Sequence, residues 1–245
     1  MRYLLAPLLL LSSPAFAQGS AQESAQESRA SRTVSVGSFD RVRVEGPFEV
    51  RVAIGSPRAT ITGDSRMTET VAVRVDGTTL SVRKGTGGWG EQPRKGGSGP
   101  IVITLSTPGL TSASVAAGGR LTIARMRGMR VDVTVSGNGN LSLAAADTDQ
   151  LNATLIGTGQ MTLAGRAARA RLVTSGPGAI DASALVVDDL TVHLDGVGET
   201  KAAARYTAQV TNGGLGTVKV TGKAKCRVDA AAGGPVVCGK AGPAS

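Results

Sequence analysis

Apolar and polar residues alternate along most of this chain, in short runs that glycine-rich turns separate. Residues 39–45 and 48–54 place apolar side chains at every second position, with Gly46-Pro47 between the two runs. A period of two is typical of a β-strand that buries one face. The same pattern predicts further short strands, at residues 59–62, 71–75, 80–83 and 101–106.

The second half of the chain carries a recurring Gly-x-Gly unit. The first glycines of successive units are 20, 19, 20 and 18 residues apart. A period near 20 predicts a solenoid in which each repeat forms one coil. At the corner of a coil, a side chain would clash or φ must turn positive, and glycine meets both conditions. The predicted turn glycines are Gly137, Gly139, Gly157, Gly159, Gly176, Gly178, Gly196, Gly198, Gly214 and Gly216.

Alignment on these glycines produces apolar columns on both sides of the turn. Equivalent residues of stacked coils lie about 4.8 Å apart, so each column would form a ladder inside a narrow core. We therefore predict an all-β fold, a single-stranded parallel β-helix (β-solenoid) with regular repeats over residues 113–240. Residues 37–112 would form its less regular start or cap. The columns are Val133, Ala153, Leu172, Val192 and Val210, then Leu141, Met161, Ile180, Thr200 and Val218, then Leu143, Leu163, Ala182, Ala202 and Val220.

The first residues have the three parts of a secretory signal. Arg2 gives a positive start, residues 4–11 are apolar, and Ala15-Phe16-Ala17 forms a small-x-small cleavage site. We predict a signal peptide over residues 1–17 and a mature chain that is exported, to the periplasm or to the cell surface. Residues 18–36 include a polar tandem that cannot offset its ordering entropy, which predicts a flexible linker.

Two cysteines, Cys226 and Cys238, lie twelve positions apart near the end of the chain. In an oxidising compartment, and with no histidine nearby to complete a metal site, they predict a disulfide. The repeat register places both side chains inward in the last coil, where a bond would staple the final rung.

Several segments together resemble a known bacterial family, the putative auto-transporter adhesin, head GIN domain. They are Phe39-x-x-Val-x-Val-x-Gly46, the strand at residues 48–54, Ile61-Thr-Gly-Asp64, Gly77-Thr-Thr-Leu80 and the glycine repeats. The resemblance covers residues 37 to about 225. It implies a β-helical fold, an envelope or secreted location and an adhesin-like role.

The formal net charge of +9 favours anionic partners outside the cytoplasm, such as phospholipid headgroups, lipopolysaccharide or acidic glycans. The alternative is that these cations are solvated side chains that keep a glycine-rich protein soluble. Nucleic acid is excluded as a partner by export and by the shortage of stacking aromatics, which make up 2% of the chain.

One basic segment, residues 84–100, interrupts the strand pattern and carries the only tryptophan. Trp89 could stack on a sugar ring while Arg94 and Lys95 hold an acidic group, so these three are the candidate ligand-binding residues. Alternatively, Trp89 covers the end of the solenoid, or the loop is disordered. A second basic group follows at one corner, with Arg120, Arg125, Arg127 and Arg130.

Catalytic and cofactor chemistry finds little support in the sequence. The acidic candidates for a carbohydrate-active enzyme are Asp181, Asp195 and Glu199, beside the only histidine, His193. Their register places His193 outward and gives no stacked pair of acids. The glycine turns lack the repeated aspartate of calcium-binding repeats and the Lys-Ser/Thr of phosphate loops. We predict no catalytic residue, no metal and no cofactor.

The leading hypothesis is a non-catalytic binding or scaffold module that presents a ladder surface to a glycan, an anionic lipid surface or another envelope protein. Two alternatives remain open. One is a lyase or hydrolase acting on a polysaccharide, which the corner of Asp195 and Glu199 would carry. The other is a structural protein that self-associates through its solenoid ends.

Overall fold

The computed structural model describes residues 29–85 and 101–239, which form a β-solenoid of about six turns. Each turn is one stacked parallel coil of about 20 residues, so the predicted fold class is confirmed. The elements are β1 (Arg29–Val34), β2 (Arg41–Glu45), β3 (Glu49–Ile54), β4 (Arg58–Asp64), α1 (Ser65–Glu69), β5 (Val71–Asp76), β6 (Thr79–Lys84), β7 (Val102–Thr107), β8 (Ser112–Ala116), β9 (Arg120–Ile123), β10 (Met126–Gly137), β11 (Asn140–Gly157), β12 (Gln160–Ser175), β13 (Ala179–Asp195), β14 (Glu199–Asn212), β15 (Thr217–Gly222), β16 (Lys225–Asp229) and β17 (Val236–Cys238).

The coils stack into two long parallel walls that meet at the glycine corner. Wall A precedes the corner and contains, from one end of the solenoid to the other, β6, β2, β8, the second halves of β10–β14, and β16. Wall B follows the corner and contains β7, β3, β9, the first residues of β11–β14, β15 and β17. A shorter third wall, which contains the first residues of β10 and the middle residues of β11–β14, closes the coils in the second half of the chain. Its residues in one coil include Ala146 and Thr148.

The predicted core columns are present. Val133, Ala153, Leu172, Val192 and Val210 pair in succession along wall A, and all five are buried. On wall B, the column from Leu141 to Val218 is also continuous and buried. The third column is interrupted once, because the register shifts between β12 and β13 after Thr162. Side chains of one kind therefore stack on each other through the whole core.

The glycine corners hold the coils in close contact, as predicted. Gly157 has φ +112°, and a Cβ placed on it would lie 2.6 Å from the carbonyl oxygen of Gly137. A Cβ on Gly159 would lie 2.3 Å from the carbonyl oxygen of Gly139. Gly157 and Gly159 can approach the backbone of the previous corner this closely only because they have no side chain.

The first strands form true coils and a cap, but not in chain order. The coil of β2 and β3 lies between the outermost coil, made by β6 and β7, and the coil of β8 and β9. The chain leaves the second coil, builds the cap and returns through the outermost coil. In the cap, β5 pairs antiparallel with β6, β4 pairs antiparallel with β7, and β1 pairs antiparallel with β4.

Strand β1 differs from the predicted flexible linker over residues 18–36. Residues 29–34 pair along the whole length of β4, and Val34 lies opposite Ala59. The guanidinium of Arg32 also donates a hydrogen bond to the carbonyl oxygen of Val71, at 3.1 Å. Backbone bonds to an open strand edge, the Arg32 bond and the packing of Val34 against the core together order this segment. The predicted signal peptide, residues 1–17, and residues 18–28 lie outside the described residues.

The predicted disulfide between Cys226 and Cys238 is present, with a Cα–Cα distance of 6.3 Å. Cys226 pairs with Ala208 on wall A, and Cys238 pairs with Val220 on wall B. The bond therefore joins the two walls in the last coil of the described solenoid, at the place where the register predicted a staple.

Candidate functional site

The strands that flank the inserted basic segment, β6 and β7, form the outermost coil at the capped end of the solenoid. The flanks of the segment are described: the amide of Gly85 donates to the carbonyl oxygen of Thr70 at 2.6 Å, and β7 begins at Val102. Because β6 is on wall A and β7 on wall B, the two described flanks belong to different walls of the outermost coil. Trp89, Arg94 and Lys95 themselves lie outside the described residues.

The acidic candidates do not form one cluster around the histidine. Asp195 and His193 are exposed on wall A, before the corner at Gly196, whereas Asp181 and Glu199 follow corners on wall B. Glu199 is engaged in an ion pair with Lys201, at 3.0 Å between Oε1 and Nζ. The structure thus distributes these groups over two walls, and Asp195 and Glu199 pair with Ser175 and Ala179 rather than with other acids.

The carboxylate of Asp181 has local partners of its own. Its Oδ1 accepts hydrogen bonds from the hydroxyl of Ser183 at 2.5 Å and from the Ser183 amide at 3.0 Å. These bonds, the side-chain bond first, lower the pKa of Asp181 from its ordinary value, and the charge of Lys201 adds to the effect. Asp181 is therefore a stable carboxylate, which is the opposite of what a general acid requires.

The second basic group is divided by the structure. Arg127 and Arg130 are in ion pairs, with Asp147 at 3.2 Å and with Asp132 at 3.1 Å. Arg120 lies on wall B and makes no ion pair with any residue of the described ranges. Arg125, between β9 and β10, is exposed and likewise makes no ion pair with a described residue. Of these two unpaired arginines, Arg120 is the one that lies on wall B.

Arg120 belongs to a polar surface that the sequence did not reveal, which we call the wall-B ladder. The ladder has two neighbouring columns on three successive coils, and strand pairing places the members of each column directly side by side. Their side chains line one shallow depression of about 220 Å³. The ladder residues are Arg120, Asn140 and Gln160 in the first column and Thr122, Ser142 and Thr162 in the second.

The local sequence explains why the ladder forms. After each corner glycine, one residue points outward, the next inward and the third outward, as in Gly119-Arg-Leu-Thr122. The next two coils repeat this with Gly139-Asn-Leu-Ser142 and Gly159-Gln-Met-Thr162. Leu121 and Leu141 are buried in the core, and their burial holds the outward residues of each strand on the surface of wall B. The sequence signal for the ladder is a four-residue pattern that recurs in three coils. It consists of a glycine, an amide or guanidinium side chain, an apolar side chain and a hydroxyl side chain.

The chemistry of the ladder is that of hydrogen bonding. Amides and hydroxyls both donate and accept, and Arg120 adds the only positive charge. The neighbouring coil on the capped side holds Glu49 and Arg51, which are already joined by an ion pair at 2.6 Å. Rungs of like side chains at strand spacing therefore offer a regular series of donors and acceptors to an extended polar ligand.

Within the two described ranges, no group of three or more acidic, histidine or cysteine side chains could hold a metal ion. No helix in the same residues has the length and apolar character that a membrane crossing needs.

The chain matches the profile of one bacterial protein family over residues 38–224, and that family is described as putative auto-transporter adhesin, head GIN domain. A search of curated proteins found no match. A putative adhesin from Bacteroides fragilis has a TM-score of 0.75 and 20% sequence identity, and covers 87% of this chain and 97% of its own.

Two further solved structures share the fold. A putative lipid binding protein from Parabacteroides distasonis has a TM-score of 0.65 and 17% identity, over 87% of this chain and 97% of its own. A putative adhesin from Parabacteroides merdae has a TM-score of 0.66 and 15% identity, over 87% and 96%. At these identities the likeness concerns the fold alone.

Proposed function

We propose, from the premise that this chain belongs to the putative auto-transporter adhesin, head GIN domain family, that it is an exported, non-catalytic binding module. The ligand that we propose is an envelope glycan with acidic groups, bound along the wall-B ladder. The observation that carries the proposal is the stacking of six hydrogen-bonding side chains in two columns over one depression.

A glycan fits this surface better than an apolar ligand does. Sugar hydroxyls both donate and accept, and they match the amides of Asn140 and Gln160 and the hydroxyls of the second column. Arg120 would hold a carboxylate or phosphate of the glycan through its planar donors. A glycan built of repeated sugar units could also make the same kind of hydrogen bond to each successive coil of the ladder.

The names of the structural relatives agree with binding and include no enzyme. Two are putative adhesins and one is a putative lipid binding protein. Reproducible turnover of an envelope polysaccharide by the purified protein would contradict the non-catalytic part of the proposal.

The test is an array of bacterial glycans, with vesicles of anionic phospholipid as a second arm. We expect the triple variant Arg120→Ala/Asn140→Ala/Gln160→Ala to bind an acidic glycan at least about tenfold more weakly than the unmodified protein, because about 1 kcal/mol is lost with each hydrogen bond. Vesicle binding without glycan binding would contradict the proposal.

The matched control removes the same residue types from one column of wall A. Arg171→Ala/Asn152→Ala/Gln209→Ala changes the charge by the same amount on the other wall. We expect this control to bind as the unmodified protein does. Equal loss in both triple variants would mean that charge alone drives binding, which would contradict a ladder site.

The sequence prediction for Trp89, Arg94 and Lys95 is tested in the same array. A Trp89→Ala/Arg94→Ala variant should lose part of the affinity, because the loop joins the strand that begins wall B at Val102. If this variant binds the glycan as the unmodified protein does, Trp89 and Arg94 do not contribute to binding, and the ladder alone would hold the ligand.

A further inference from the structure

The two ends of the described solenoid differ in whether further strands cover them. Antiparallel strands cover the first end, where β5 and β4 pair with the outermost coil. At the other end, β16 pairs only with β14 and β17 only with β15, within the residues that the structure describes. Strand β16 therefore presents one edge of unpaired backbone groups, and all five of its residues are exposed.

The inward side chains of this last coil lack a coil above them. Val228 occupies the core column of Val210 but is 45% exposed, whereas Val210 is fully buried. Cys226 occupies the column of Ala208 and is also exposed. One more strand over β16 would cover these side chains and complete the core of the last coil.

The charge at this end is strongly one-sided. Lys219, Lys223, Lys225 and Arg227 are exposed and make no ion pair with a described residue. Asp229 is the only acidic residue between Thr217 and Gly239. On β16, Lys225 and Arg227 point to the outer face, so they would stack against alternate side chains of an added strand.

We propose that β16 is the docking edge for an extended, acidic peptide segment of a partner protein, which adds to wall A as a further strand. Backbone hydrogen bonds would supply the pairing, and acidic side chains would lie beside Lys225 and Arg227. Small apolar side chains in between would cover Val228 and the disulfide. A second copy of this chain is a poorer occupant, because it would bring the same cations to the interface.

This docking edge is independent of the wall-B ladder. It lies at the uncapped end, whereas the ladder occupies the coils of β9, β11 and β12. Failure of one proposal therefore leaves the other to its own test.

The test measures binding of synthetic peptides to the mature protein by fluorescence anisotropy. The main probe alternates glutamate with valine over about eight residues, a usual strand length. A second probe replaces glutamate by lysine, and a third carries N-methyl groups on alternate amides, which removes backbone donors without changing the charge. We expect the first probe to bind and the other two to fail.

The variant Lys225→Glu/Arg227→Glu should bind the acidic probe at least about tenfold more weakly, through loss of two cross-strand charge pairs. The control Arg166→Glu/Arg169→Glu makes the same charge change at exposed arginines of an inner coil and should bind normally. Both variants should melt as the unmodified protein does.

Four results would overturn the proposal. They are failure of the acidic probe to bind, equal binding of the N-methylated probe, equal loss in the two charge variants, and binding of phosphatidylglycerol vesicles that depends on Lys225 and Arg227 while peptide binding does not. Concentration-dependent dimerisation that Lys225→Glu/Arg227→Glu abolishes would assign the edge to a second copy instead.

Discussion

At the scale of single residues, the corner glycines set how closely the coils can stack. Gly157, Gly176 and Gly196 all have positive φ, and a Cβ on any of them would meet the backbone of the previous corner within about 3 Å. Their role is steric as well as conformational. Substitution in the middle of the stack should therefore cost much more than substitution at an open turn.

We expect Gly157→Val to destabilise the protein by about 3 kcal/mol or more, because it combines backbone strain with a clash against Gly137. Gly109→Val is the matched control, since a Cβ there has nothing within 4 Å and its φ is not in the left-handed region. Urea unfolding followed by circular dichroism measures both. Equal stability of the two variants would contradict the steric account of the corners.

Polar residues that point into the core are also explained at this scale. Thr174 and Thr200 are fully buried, and their hydroxyls share a hydrogen bond of 2.8 Å across the core. The buried amide of Asn212 donates to the carbonyl oxygen of Gly216 at 2.8 Å. Each of these three inward polar side chains thus has a partner, which is the condition for burial at low cost.

At the scale of elements, the sequence was most informative where contacts are local and repeated. The alternation at Val133 and Leu141, and the spacing of the glycines, were sufficient to predict the coils and their core columns. The order of the first coils could not be predicted, because β2 stacks between strands that come later in the chain. Long-range pairing of this kind leaves no local pattern.

Two local elements were also missed, for different reasons. Strand β1 pairs with the free edge of β4, and Val34 is its only large apolar residue. Within any one coil, the ladder residues are polar side chains that point outward, as on most strands. The ladder differs from other outward residues because similar side chains stack over three successive coils. Asn140 and Gln160 form a hydrogen-bonding surface only together with the residues stacked beside them. That surface could be recognised only after the strand register was known.

The disulfide has a role that belongs to the last elements. In the chain-entropy view, a cross-link over a short loop stabilises by about 2–4 kcal/mol. We expect Cys226→Ala/Cys238→Ala to fray β16 and β17 while the inner coils stay folded, because a solenoid is held by contacts between neighbouring coils.

Hydrogen exchange measured strand by strand tests this expectation. Amides of β16 and β17 should lose protection in the double variant, whereas those of β11 and β12 should keep it. The cysteine-containing protein under oxidising and reducing conditions is the control. Uniform loss of protection along the solenoid would mean that the bond stabilises the whole domain.

At the scale of the whole molecule, the surfaces that we propose for binding lie on separate parts of the solenoid. Wall B carries the ladder, and the last described coil carries an open strand edge among unpaired cations. The family agrees with a module that presents surfaces for binding. A net charge of +9 would attract acidic partners to both surfaces, so we expect specificity to come from the hydrogen bonds of the ladder and the backbone pairing of the edge.

Glycan binding by the wall-B ladder is tested most directly by a titration of amide chemical shifts in the protein with the acidic glycan that binds most strongly in the array. We predict that the largest changes cluster on wall B between Arg120 and Thr162, and that they are small in the variant Arg120→Ala/Asn140→Ala/Gln160→Ala. Changes centred on wall A or on β16, or changes equally large in the variant, would contradict recognition by the ladder.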